Sequence, residues 1–185
     1  RQMCIRDRCR SCKKKINWYD NIPLISYLVL KGNCRCGKIK IDFRYFLVEL
    51  VTALGFLSIF YLYGISITTL LLIILTIFFV IIFFIDLDHF IIPNELTFPL
   101  MIIGFLKSFD PNINLSLFPN YLDSLIGGVF GYILIWGIIT LYLKIRKKEG
   151  MGLGDAKLLA AIGFWFGWYS IPYVIFLSSL SALLI

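Results

Sequence analysis

The stretch from Ile65 to Ile85 reads ISITTLLLIILTIFFVIIFFI, without a single charge, and is closed by Asp86. A helix rises about 1.5 Å per residue, so this run is long enough to cross a hydrocarbon core of roughly 30 Å. The rest of the chain agrees. Of its 185 residues 59% are hydrophobic, and the mean hydropathy is +0.87, too apolar for an ordinary water-soluble domain.

Outward from that run, Gly64 breaks the pattern and Phe46 to Tyr63 reads as a second span with one charge, Glu49, near its start. Beyond Asp86 lies Leu87-Asp88-His89-Phe90-Ile91-Ile92-Pro93-Asn94-Glu95. Pro93 disfavours helix at Ile92 and marks a break. Leu96 to Leu106 is apolar but short and carries Pro99, as a broken, tilted or re-entrant piece would. Residues 107 to 123 read as a loop. Ser124 to Leu143 is a clean span whose Gly127, Gly128 and Gly131 permit close helix approach. Lys157 to Phe166 and Ile171 to Ile185 read as further membrane segments. The fold class expected is an all-α polytopic membrane bundle of five to six transmembrane helices with a small N-terminal cytoplasmic module. The expected domains are residues 1–8, non-native or disordered; 9–44, cysteine-rich; and 45–185, a membrane domain cut short at its C-terminal end.

Of the 18 Lys and Arg, 12 lie in residues 1–44, against three acids there. A basic block of this kind suits nucleic acid, but beside membrane spans it reports a cytoplasmic segment under the positive-inside rule, so nucleic acid is not expected as a partner. All five cysteines fall between Cys4 and Cys36. Thiols on the cytoplasmic side stay reduced, which favours metal over disulfides. Cys9 and Cys12 form one pair, Cys34 and Cys36 another, with the segment Lys13 to Asn33 between them. Four thiolates at such spacing can close a structural zinc site, with free thiols in a loop as the alternative. In the second pair only Arg35 intervenes, which gives a tighter bite than usual.

With the basic block inside, alternation of the spans puts Asp86 and Asp155 on the same cytoplasmic side. Lys144, Arg146, Lys147 and Lys148 precede Asp155 there, and residues 107–123, with one Lys and no Arg, fall outside. Two nearby carboxylates cannot both ionise cheaply. One keeps its proton while the other deprotonates a water that attacks a carbonyl. Acids at helix ends also mark the interface or serve transporters and proton relays, and Asp88 is read as interfacial. Residues two apart on a helix face different ways, so only one of Asp86 and Asp88 is expected to face Asp155. His89 is read as interfacial. Glu49 is expected to pair with the basic module or to touch substrate, and Lys157 to act on Asp155 or on lipid phosphate.

These residues resemble the bacterial type IV prepilin leader peptidases. Gly152-Leu153-Gly154-Asp155 looks like the GxGD signature of that aspartyl protease family. Ile85-Asp86-Leu87-Asp88-His89 with Ile92-Pro93-Asn94 looks like its other aspartate motif, and the cysteine pairs with Trp18 to Pro23, Arg44-Tyr45 and Val48-Glu49 resemble its cytoplasmic domain. The resemblance implies Asp86 and Asp155 as catalytic residues, Gly152 and Gly154 as support of the catalytic loop, and a prepilin or pseudopilin substrate cut at the cytoplasmic face of the inner membrane. It also implies N-methylation of the new N-terminus with S-adenosylmethionine in many members. Asn94 stands where an Asp is common. The competing readings are a transport or scaffold protein with a metal-binding cytoplasmic module, and a GxGD protease of the signal-peptide-peptidase or presenilin type. The latter expects a Tyr before the first aspartate, where this chain has Ile85.

Overall fold

The computed structural model describes residues 24–30, 32–33, 42–110, 118–147 and 152–184. Among them the chain is helical: α1 (Ile25–Val29), α2 (Phe43–Tyr63), α3 (Ile67–His89), α4 (Asn94–Leu106), α5 (Tyr121–Arg146), α6 (Leu153–Phe166) and α7 (Ser170–Leu184), with a 3₁₀ turn at Lys107–Phe109. Two compact units result, Arg1–Thr69 and Leu70–Ile185.

In the first unit, α2 starts ahead of its apolar run because Asp42 caps it, its carboxylate accepting from the Arg44 N–H at 3.1 Å. It stops at Gly64, which at φ 60° takes a conformation other residues resist. The Ser66 hydroxyl then accepts from the Thr69 N–H at 3.2 Å and starts α3. Thr69 donates back to the Gly64 carbonyl at 2.6 Å, closing the turn. Tyr27 stacks on Phe46 with ring centroids 5.0 Å apart.

In the second unit, α6 is the central element, packed against α5 and α4. The α5–α6 seam is built on glycine. A Cβ on Gly127 would stand 2.5 Å from the Gly163 carbonyl oxygen, and one on Gly131 would stand 2.9 Å from that of Leu159. Only residues without side chains let the two backbones approach so closely. The buried Ser124 hydroxyl donates across the seam to the Phe164 carbonyl at 2.7 Å. On the other side, fully buried Trp165 lies over Gly104 and donates through Nε1 to the Leu100 carbonyl at 2.8 Å.

Of the five to six spans expected, three helices among the described residues are long and apolar enough to cross a membrane: Phe43–Tyr63, Ile67–His89 and Tyr121–Arg146. With 13, 14 and 15 residues, α4, α6 and α7 reach only about 20–22 Å. Pro93 and the 3₁₀ turn bound α4, while Gly152 and Gly167 bound α6. Pro99 sits inside α4 without ending it, and Pro172 lies in the first turn of α7, where its missing N–H costs nothing. The cysteines of the N-terminal module lie outside the described residues.

Candidate active site

Asp86 occupies the last turn of α3, which continues through it to His89 rather than stopping at Ile85. The chain leaves this helix at Phe90, whose N–H donates to the Asp86 carbonyl at 2.7 Å. Phe90 has φ 55°, a left-handed conformation that is costly for a bulky residue. That turn redirects the chain through Ile91 and Ile92 to Pro93, the residue that precedes α4.

Asp155 stands in the first turn of α6, outside the three candidate spans. It is half-buried, whereas Asp86 is exposed. Burial raises the Asp155 carboxyl above its ordinary value, and the negative charge of Asp86 raises it further. The two sequence motifs therefore meet closely enough for one carboxylate to act on the other. The neighbouring charge that raises Asp155 is that of Asp86.

Two further contacts hold the motifs together. A Cβ on Gly154 would stand 2.9 Å from the Ile92 Cβ, so the glycine lets the α3–α4 connection lie directly on the start of α6. The Lys157 ammonium donates to the Asn94 Oδ1 at 2.6 Å and lies 5.5 Å from the centre of the Phe98 ring. Lys157 thus turns toward α4. Gly152 has an ordinary φ of −78°, and among the described residues a Cβ there would meet nothing nearer than the Gly154 nitrogen at 3.9 Å. The contact with Ile92 requires glycine at 154.

Glu49 lies in the first unit, where its carboxylate accepts from the Leu24 N–H at 2.9 Å. Leu24 precedes α1 and has φ 60°, so Glu49 secures the start of a short helix; this partner is a backbone amide rather than a basic side chain. His89 ends α3 and is exposed. Cys9, Cys12, Cys34 and Cys36 lie outside the described residues. Among the described residues no group of three or more His, Cys, Asp or Glu could hold a metal. Sequence reasoning missed the Lys157–Asn94 bond and the Ile92–Gly154 contact. The only signal was the adjacency of each residue to an aspartate motif.

The fold and the site define a class: a helical membrane protein with an interacting pair of aspartates at two helix ends. More particularly, the chain belongs to the type IV leader peptidase family, whose model matches residues 73–185, and the bacterial peptidase A24 N-terminal domain matches residues 2–63. It is similar to a prepilin leader peptidase/N-methyltransferase of Aeromonas hydrophila, 40% identical over 178 residues that cover 96% of this chain and 60% of the relative. The corresponding protein of Pseudomonas aeruginosa is 38% identical over 172 residues, covering 93% of this chain and 58% of that relative. That of Klebsiella pneumoniae is 36% identical over 174 residues, covering 94% of this chain and 74% of the relative. The chain thus spans about three fifths of the first two relatives. No solved structure matches it.

Proposed function

We propose that this chain carries the catalytic centre of an intramembrane aspartyl endopeptidase that removes the leader peptide of type IV prepilins or pseudopilins. The observation that carries the reading is the action of the Asp86 charge on half-buried Asp155 across two motifs packed together at Gly154 and Ile92. A carboxyl whose ionisation is opposed by burial and by a neighbouring carboxylate retains its proton at pH values where an ordinary aspartate has lost it. The ionised partner takes a proton from a water between the two. The resulting hydroxide attacks the peptide carbonyl, and the protonated carboxyl donates to the oxygen on which charge develops. The two carboxyls act together, so the roles belong to the dyad rather than to either residue.

Supporting the substrate class, the relatives above are named prepilin leader peptidase/N-methyltransferase. Their second activity extends the proposal to methylation of the new N-terminus with S-adenosylmethionine. A structural zinc on Cys9, Cys12, Cys34 and Cys36 rests on cysteine spacing. The basic N-terminal segment and the Lys144–Lys148 run favour a cytoplasmic position for the cysteines and both aspartates. In this reading the chain has five to six membrane segments.

The test is cleavage of a co-expressed prepilin, comparing the wild type with Asp86→Asn and Asp155→Asn after membrane insertion of each is verified. Loss of cleavage in both inserted variants is expected. Cleavage that survives either substitution rejects the aspartyl mechanism.

A further inference from the structure

We propose that Lys157 and Asn94 are a positioning pair that sets the spacing of the two aspartates. The inference rests on the peptidase reading above and adds to it two residues that do no chemistry. Asp86 is joined to Asn94 by a short connection that leaves α3 at Phe90 and enters α4 after Pro93. That connection touches the first turn of α6 at two points. Ile92 lies on Gly154, the residue before Asp155. Asn94 accepts from Lys157, the second residue after Asp155. The contacts therefore bracket Asp155 on one side and follow Asp86 on the other. The first is apolar and permits sliding. The second is a short, charge-assisted hydrogen bond with a direction, and it supplies the register that the first lacks.

The bond is solvent-accessible, so its loss leaves no buried group unsatisfied and the altered proteins fold. Its effect falls on geometry. Displacement of a catalytic group by about 1 Å can cost about 10²-fold in rate. A looser pair also weakens the action of the Asp86 charge on Asp155, which lets that carboxyl fall back toward its ordinary value.

The experiment measures kcat, KM and the pH–rate profile of prepilin cleavage by the full chain. The variants are Lys157→Met, Asn94→Leu, the double variant and Asn94→Asp, with Asp86→Asn and Asp155→Asn as controls. Lys157→Met and Asn94→Leu are each expected to lower kcat by about 10²-fold with KM unchanged. Their alkaline limb moves to lower pH. The double variant is no worse than either single one, as for two partners in one bond. Asn94→Asp keeps an acceptor for the ammonium and retains both kcat and the position of the limb. The proposal is overturned if the limb does not move, if the single losses multiply in the double variant, or if Asn94→Asp fails as badly as Asn94→Leu. Cleavage by either aspartate control rejects the aspartyl mechanism on which the pair's role rests, whatever the Lys157 and Asn94 variants do.

Discussion

Gly154 and Gly152 flank one residue of the same signature, yet the space around them differs. Alanine at 154 places a methyl 2.9 Å from the Ile92 Cβ, and the α3–α4 connection must move outward to accept it. Gly154→Ala is therefore expected to cut cleavage by about tenfold or more, an order-of-magnitude loss for a small displacement of a catalytic group. Adding Ile92→Gly, which removes the Cβ that the new methyl meets, restores part of the activity. Gly152→Ala, at an ordinary backbone conformation, meets only the Gly154 nitrogen at 3.9 Å among the described residues and is expected to keep wild-type cleavage. Parallel rate measurements on the three variants check this. Asp155 carries a second prediction. Its carboxyl is raised by burial and by Asp86, so above the ordinary aspartate value of about 3.9 the folded state holds more protons than the unfolded state. Stability from this group is greatest below that value and is lost as pH rises through the raised one. Asp155→Asn removes the penalty. The inactive variant is expected to melt higher than the wild type at neutral pH, with the advantage vanishing in acid, as thermal unfolding at the two pH values measures.

At the scale of elements, the long helices were readable because an uncharged apolar run as long as Ile65 to Ile85 has few alternatives in water or lipid. The break at Gly64 was readable as well, but the other ends were not. Asp42 extends α2 backward through a side-chain cap, and α3 runs on through Asp86 to His89 because helix propagation does not depend on apolarity. The three short helices were read as membrane segments from composition; the break at Pro93 was readable, but the start of α6 at Leu153 after Gly152, ahead of its apolar run, was not. Both aspartates and Gly154 were readable from local motifs. Ile92 on Gly154 and Lys157 on Asn94 were not, since each joins positions far apart in the chain with no periodicity to announce the contact. The glycines of α5 were readable as a packing face, but their partner was not. That partner is Gly163, which approaches the backbone of Gly127 so closely that a Cβ has no room. Gly163→Ala forces the α5–α6 seam apart and is expected to cost about 1–3 kcal/mol, the usual range for overpacking. Gly137→Ala, on α5 with nothing near its Cβ position, is the control. Denaturation in detergent distinguishes the two.

Across the second unit as a whole, α6 meets an ionisable group at each end, and each suits the partial charge of the helix terminus it occupies. Asp155 stands in the first turn, where amide groups favour an anion. At the far end the Lys107 ammonium donates to the Trp165 carbonyl at 2.8 Å and lies 3.8 Å from the centre of the Phe118 ring. Both contacts favour the charged lysine, but the residue is only 5% exposed, and burial pulls its pKa down to about 7. In the unfolded chain the same group titrates near about 10.4. Between these values the unfolded state binds more protons than the folded one, so stability from this group rises with pH across that window. Every other group is common to the wild type and Lys107→Met. The difference between the two isolates the lysine. Methionine preserves most of the length and removes the charge, so near pH 7 and below it spares the folded state the burial of an ammonium, and the wild type gains on the variant as pH rises. Thermal unfolding of both proteins in the same detergent, from neutral to alkaline pH, is expected to show their melting temperatures moving in favour of the wild type. A constant difference would mean that Lys107 keeps its proton in the folded state, and that the ring and the carbonyl outweigh burial at that end of α6.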